Sequence, residues 1–174
     1  SGKKPKTIHW IHRKAANAEI YFLANDLEEE QSVTATFRVK GLQPEIWCPE
    51  PGRISDLPAF TFAEDGRTKI TYYFKPGQAI FVVFRKPARK FDYLSSVLFN
   101  GNPCSGNPET DDTGIHLEVS ENGTYTFNYN SGRTKEIIVR DVNKPVKING
   151  PWNLSFPQQA SYGEKLPPPV VLDS

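Results

Sequence analysis

The sequence predicts an all-β chain, an antiparallel β-sandwich (Ig-like or jelly-roll-like) of about eight or nine strands. Three observations carry this. Apolar and polar residues alternate with period two in several segments. Aromatic residues, which favour strands, make up 12% of the 174 residues, with 11 Phe and 7 Tyr. The 15 Pro and 12 Gly punctuate the chain with turns.

The elements follow in order. In "EIYFLAN", Ile20, Phe22 and Ala24 share one face, and Tyr21 and Leu23 the other. The charged "LEEEQ" (27–31) reads as a loop. In "VTATFRVK", Val33, Ala35, Phe37 and Val39 alternate with Thr34, Thr36, Arg38 and Lys40, the pattern of a half-buried strand. "EIWC" (45–48) is short, and Pro49, Pro51 and Gly52 stop it. "KITYYF" (69–74) and "AIFVVFR" (79–85) flank Pro76-Gly77 and read as a hairpin. The polar "NGNPCSGNPETDDTG" reads as a loop. "IHLEV" (115–119) and "TYTFNYN" (124–130) flank Asn122-Gly123, a strong hairpin signal. The turn Ser131-Gly132 leads to "KEIIVRDV" (135–142). Tyr125, Phe127 and Tyr129 share a face. No internal repeat is visible. The division expected is 1–7 as a cloning scar or linker, 8–148 as the sandwich, and 149–174 as the start of a following domain or an extension packing on the sandwich. In "INGPWNLSFP" (148–157), Trp152, Leu154 and Phe156 share a face, expected to join the sandwich as an extra edge strand. The proline-rich tail "GEKLPPPVVLDS" is a poor source of a partner strand.

Composition narrows the function. With 21 basic and 20 acidic residues and a net charge of +1, the chain lacks the basic excess of a nucleic-acid binder. Mean hydropathy is −0.53, and no run approaches the ~18 apolar residues of a membrane helix. No partner of either kind is expected. His9 and His12 fall on opposite faces of a strand, so they do not make a metal pair. Asn122-Gly123-Thr124 and Asn153-Leu154-Ser155 are sequons only if the source glycosylates. No nucleophile elbow, phosphate loop or CxxC site occurs, and no pair of carboxylates suggests a glycosidase cleft. The chain is expected not to be an enzyme. No cofactor is expected. Glu109, Asp111 and Asp112 are candidate Ca²⁺ ligands, with a solvated acidic loop as the alternative.

Aromatic side chains remain. A sugar ring packs its C–H face on an exposed Trp or Tyr, and its hydroxyls bond to nearby polar groups. With Ile70, Tyr72 and Phe74 buried, Tyr73 turns outward. Trp10 lies beside Arg13 in the leading segment, and Tyr93 lies at the loop after Pro87. Trp47 completes the candidate carbohydrate-binding set, though a core position is the favoured reading for it.

The ordered series "IHRKAANAEIYFLAN", "VTATFRVKGLQPEIWCPEPGRI", "GRTKITYYFKPGQAIFVVFRK", "ENGTYTFNYNSGR" and "INGPWNLSFP" resembles the region downstream of the catalytic barrel in α-L-rhamnosidase-like glycoside hydrolases of family 106. The resemblance spans roughly residues 8–157. It implies a non-catalytic β-sandwich, with the catalytic glutamates and bound Ca²⁺ of such enzymes lying in the barrel. It departs from the pattern at Cys48, where relatives tend to carry Asp, at the Tyr72-Tyr73 pair, and in the longer loop holding Cys104. It implies a secreted or periplasmic bacterial enzyme acting on plant cell-wall polysaccharide, pectic or hemicellulosic. Export would permit a Cys48–Cys104 disulfide without requiring it. The expectation is therefore a monomeric carbohydrate-binding module partnered with the catalytic domain of its parent enzyme. The alternative is a purely structural sandwich that orients the barrel.

Overall fold

The computed structural model describes residues 8–50, 52–88, 92–143, 146–155 and 170–172. The expected linker 1–7, Phe156 and most of the proline-rich tail lie outside them. No helix occurs among the described residues, which form sixteen strands in four sheets. Nine of these strands have six or more residues, and the others are short. The all-β, sandwich-like architecture is the one the alternation predicts.

The largest sheet has seven strands: β1 (Ile8–Ala15), β2 (Ala18–Asn25), β8 (Ala79–Pro87), β4 (Leu42–Cys48), β5 (Arg53–Asp56), β11 (Glu109–Asp111) and β12 (Gly114–His116), in that spatial order. β8 sits inside because its run Ile80–Phe84 is apolar on both faces, and four of those five residues are buried. A three-stranded sheet orders β3 (Gln31–Phe37), β7 (Thr68–Phe74) and β6 (Thr61–Phe62). Tyr21, Leu23, Ile46, Val82 and Phe84 from the large sheet share one core with Phe37, Ile70, Tyr72 and Phe74 from the small one. The face assignments made from alternation in β3 and β7 hold.

A third sheet orders β10 (Asn102–Pro103), β9 (Leu94–Phe99), β13 (Gly123–Tyr129) and β14 (Thr134–Val139). Leu94, Tyr125 and Phe127 form its own core, with Tyr129 packed against them. The β13–β14 hairpin turns at Ser131-Gly132 as expected, with Gly132 at φ 85°.

Three expectations need correction. β7 and β8 are not a hairpin: β7 pairs with β3 and β6, whereas β8 pairs with β2 and β4. The turn at Pro76-Gly77 carries the chain from one sheet to the other. Asn122-Gly123 joins no hairpin either. A Cβ on Gly123 would stand 2.4 Å from the Phe99 ring, so glycine is there for the close approach of β9, while Asn122 Oδ1 accepts from the Val142 N–H. The polar loop 100–114 contains a small hairpin, β11–β12, and the expected strand 115–119 is ordered as strand only through His116. Cys48 and Cys104, whose pairing the sequence left open, are free thiols packed against separate cores, and burial pushes both above the usual range.

The chain divides into a unit of Ser1–Val142 and a second of Asn143–Ser174. In the second, β15 (Trp152–Leu154) pairs antiparallel with β16 (Val170–Leu172). The strand expected to extend the sandwich therefore has its partner in the tail, just after the prolines, where backbone donors resume.

Candidate functional site

The large sheet extends past the small one at the β1 edge, where almost every residue of β1 is exposed. An open cleft of about 470 Å³ lies there. Alternation sends Ile8, Trp10 and His12 of β1 into it. Tyr21 of β2, Thr36 of β3 and the flanking Arg38 and Arg67 complete its walls. Leu23, Val33 and Phe37 supply an apolar floor continuous with the core. Trp10 is 66% exposed, so its ring is available to a ligand. His12 stacks on Tyr21 with centroids 4.2 Å apart and planes 7° from parallel. Its Nε2 lies 2.6 Å from Glu19, and this bond, aided by Lys14, holds the Glu19 carboxyl below the usual range. Arg67 is held by Asp65, Nε to Oδ2, at 2.6 Å.

The other aromatic candidates lie elsewhere. Tyr73 is half-buried on the outer face of the small sheet, and its hydroxyl donates to Glu30. That bond, with some burial, pushes its phenol up. Asn107 clips the Tyr73 backbone, accepting from its N–H at 2.8 Å and donating to its carbonyl at 2.7 Å. β6 is too short to cover that edge of β7, and the amide takes the place of a neighbouring strand. Tyr93 stacks on Phe60 at 4.5 Å and meets Phe62 edge-on at 6.0 Å, so its ring is used in packing.

Trp47 lies on the outer face of the large sheet, half-buried, and not in the core. Its Nε1 donates to Glu45 at 2.9 Å, and the Arg85 guanidinium sits 5.2 Å from its ring centroid, within cation–π range. Glu45 has a side-chain exposure of 1%. The register shift between Gln43 and Pro44 places both Arg85 and Lys86 on its side, at 2.9 and 3.1 Å. Lys86 also reaches Asp56 at 2.7 Å. Burial alone would raise the Glu45 carboxyl; the bonds from Trp47, Lys86 and Arg85 outweigh it and hold the group below the usual range.

The three Ca²⁺ candidates are not brought together. Glu109 pairs with Arg53 at 2.8 Å. Asp111 caps its own turn, accepting from the Thr113 hydroxyl and N–H, each at 2.7 Å, and lying 2.9 Å from His116 Nε2. Among the described residues no group of three or more His, Cys, Asp or Glu could hold a metal ion. Thr113, through its hydroxyl and then its N–H, brings the Asp111 carboxyl down to about 2. The turn's carboxylate bonds are therefore complete above the ordinary 3.8 and are lost as pH falls through about 2. An NMR titration of the Asp111 carboxyl carbon is expected to give a midpoint near that lower value; a midpoint at the ordinary one would contradict the capping role.

Arg38, Arg67 and Glu45 were not singled out in the sequence, and His12 was weighed there only as half of a metal pair. The signal available for Glu45 was an acid inside an apolar strand. Arg38 and Arg67 gave no local signal, because the sandwich edge alone brings them to Trp10.

Residues 2–62 match the model of the Glyco_hydro_106 family, described as alpha-L-rhamnosidase. A protein of Formosa agariphila named "Putative beta-glucuronidase" is 37% identical over 89 residues, covering 51% of this chain and 8% of that protein. The solved rhamnosidase of Novosphingobium sp. PP1Y aligns with TM-score 0.45 and 24% identity, over 72% of this chain and 14% of its own. The chain thus spans only a small part of the length of either relative. The family match, which takes in β1 to β6 and hence most of the cleft walls, identifies residues 2–62 as a rhamnosidase-family-like region, associated with glycoside hydrolases.

Proposed function

We propose that the chain is a non-catalytic carbohydrate-binding module of a plant-polysaccharide-degrading glycoside hydrolase, secreted or periplasmic in a bacterium, working as a monomer beside the parent's catalytic domain. The observation that carries this reading is the cleft with Trp10 at its mouth. An exposed indole offers a platform for a sugar ring, and Thr36, Arg38 and Arg67 offer hydrogen bonds to its substituents. The similarity to rhamnosidases supplies the polysaccharide context. Support for a non-catalytic role comes from the carboxylates. Glycoside hydrolysis uses two opposed carboxyls about 5–10 Å apart, whereas Glu45, Asp56, Glu109 and Asp111 are each committed to ion pairs, and none of the residues lining the cleft is acidic.

Affinity gel electrophoresis against pectins, xylans and glucans tests the reading. Retardation on at least one is expected, with no release of reducing sugar. No retardation on any would favour the structural alternative, for which one observation also speaks. On the outer face of the large sheet, cross-strand register lines up Ile11, Phe22, Phe81, Trp47 and Ile54 in one apolar row. Ile11 and Ile54, at its ends, are 56% and 54% exposed. Such a row suits packing against another part of a larger protein.

A further inference from the structure

The geometry points to a ligand class for the cleft: a saccharide bearing an anionic group, whose ring lies on Trp10 and whose charge is received by Arg38 and Arg67. This rests on the carbohydrate-binding reading and narrows it. Three observations carry it. Both arginines line the same cleft as the exposed indole, and no acidic residue lines it. The chain as a whole has a net charge of only +1, so this local excess of cations is not the overflow of a basic protein. Arg38 has no ion-pair partner among the described residues, and Arg67 uses only its Nε on Asp65, leaving its two terminal nitrogens to donate.

The chemistry follows from the side chains. A guanidinium presents planar, paired donors that match the oxygens of a carboxylate or a sulfate ester, and its charge persists at every working pH. A neutral sugar needs no such pair. Asp65 fixes the direction of Arg67, so less side-chain freedom is lost on binding. The apolar floor of Leu23, Val33 and Phe37 lowers the local dielectric and strengthens the ionic contact.

Isothermal titration of the 174-residue chain tests this with three probes of equal length: an oligogalacturonate, a sulfated galactan oligomer and a neutral xylo-oligosaccharide. At least one anionic probe is expected to bind tenfold or more tightly than the neutral one, and to weaken as salt rises. Which anionic probe binds better separates carboxylate from sulfate. Arg38→Ala is expected to cost the anionic probe at least tenfold and the neutral one, which loses hydrogen bonds but no charge pairing, several-fold less, with an unaltered melting curve because Arg38 is exposed. Arg67→Lys keeps the charge but loses the fork, and is expected to cost several-fold. Equal affinity for neutral and anionic probes, or indifference to Arg38→Ala, overturns the anionic assignment and leaves saccharide binding standing. Failure of all three probes to bind overturns the anionic assignment, and together with no retardation in the affinity gel it overturns both.

Discussion

Replacing Glu45 by Ala is expected to lower stability by about 3 kcal/mol, measured by urea unfolding. Removing one partner of a buried ion pair typically costs about 3–5 kcal/mol; the lower end applies because Arg85 and Lys86 remain 49% and 42% exposed and can turn to water. The indole N–H of Trp47 also loses its acceptor. Glu45→Gln keeps an acceptor for that N–H and is expected to cost about half as much. The effect depends on pH with a definite sign. Because the folded-state carboxyl is held below the ordinary 4.5, its contribution is present in full above that value and fades as pH falls through the lowered folded value. Wild type and Glu45→Ala are therefore expected to converge in acid. A loss under about 1 kcal/mol at neutral pH would mean that the cluster is an ordinary surface network.

Trp10→Ala is the second large effect, and it falls on binding. At 66% exposure the indole packs little against its own protein, so the stability change is expected to stay within about 0.5 kcal/mol. Saccharide affinity is expected to fall at least tenfold, about 1.4 kcal/mol. The split between the two readouts is informative. A packing residue would lose stability and spare binding, as expected for Tyr93→Ala, whose ring is stacked on Phe60.

The sequence made most of the fold legible where one face of a strand meets the core and the other meets water. β3 is the clear case, with Phe37 buried and Thr34 and Thr36 exposed. The β13–β14 hairpin was legible because its turn residues lie between alternating runs. The same rule failed at Pro76-Gly77 and Asn122-Gly123. A turn says that the chain reverses, but not which strand it reverses onto, and β8 is drawn to β2 and β4 by an apolar run that only a central position covers. At Gly123 the glycine serves a contact with Phe99, 24 residues away, which no local pattern reports. The site was legible only in part. Trp10 stood out as an aromatic beside charged residues. Its companions Arg38 and Arg67 lie just past the ends of β3 and β7, and only the packing of two sheets places them across from β1.

The chain has three tryptophans, and they occupy three environments: Trp10 at the cleft, Trp47 bonded to Glu45 on the outer sheet face, and Trp152 in the β15–β16 ribbon. A ¹H–¹⁵N spectrum gives one indole N–H signal for each, assignable by single Trp→Phe variants. Titration with an oligosaccharide retarded in the affinity gel is expected to shift the Trp10 signal in a saturable way and leave the other two in place. A stationary Trp10 signal, whether another indole moves or none does, would contradict a binding site at the β1 edge of the sandwich.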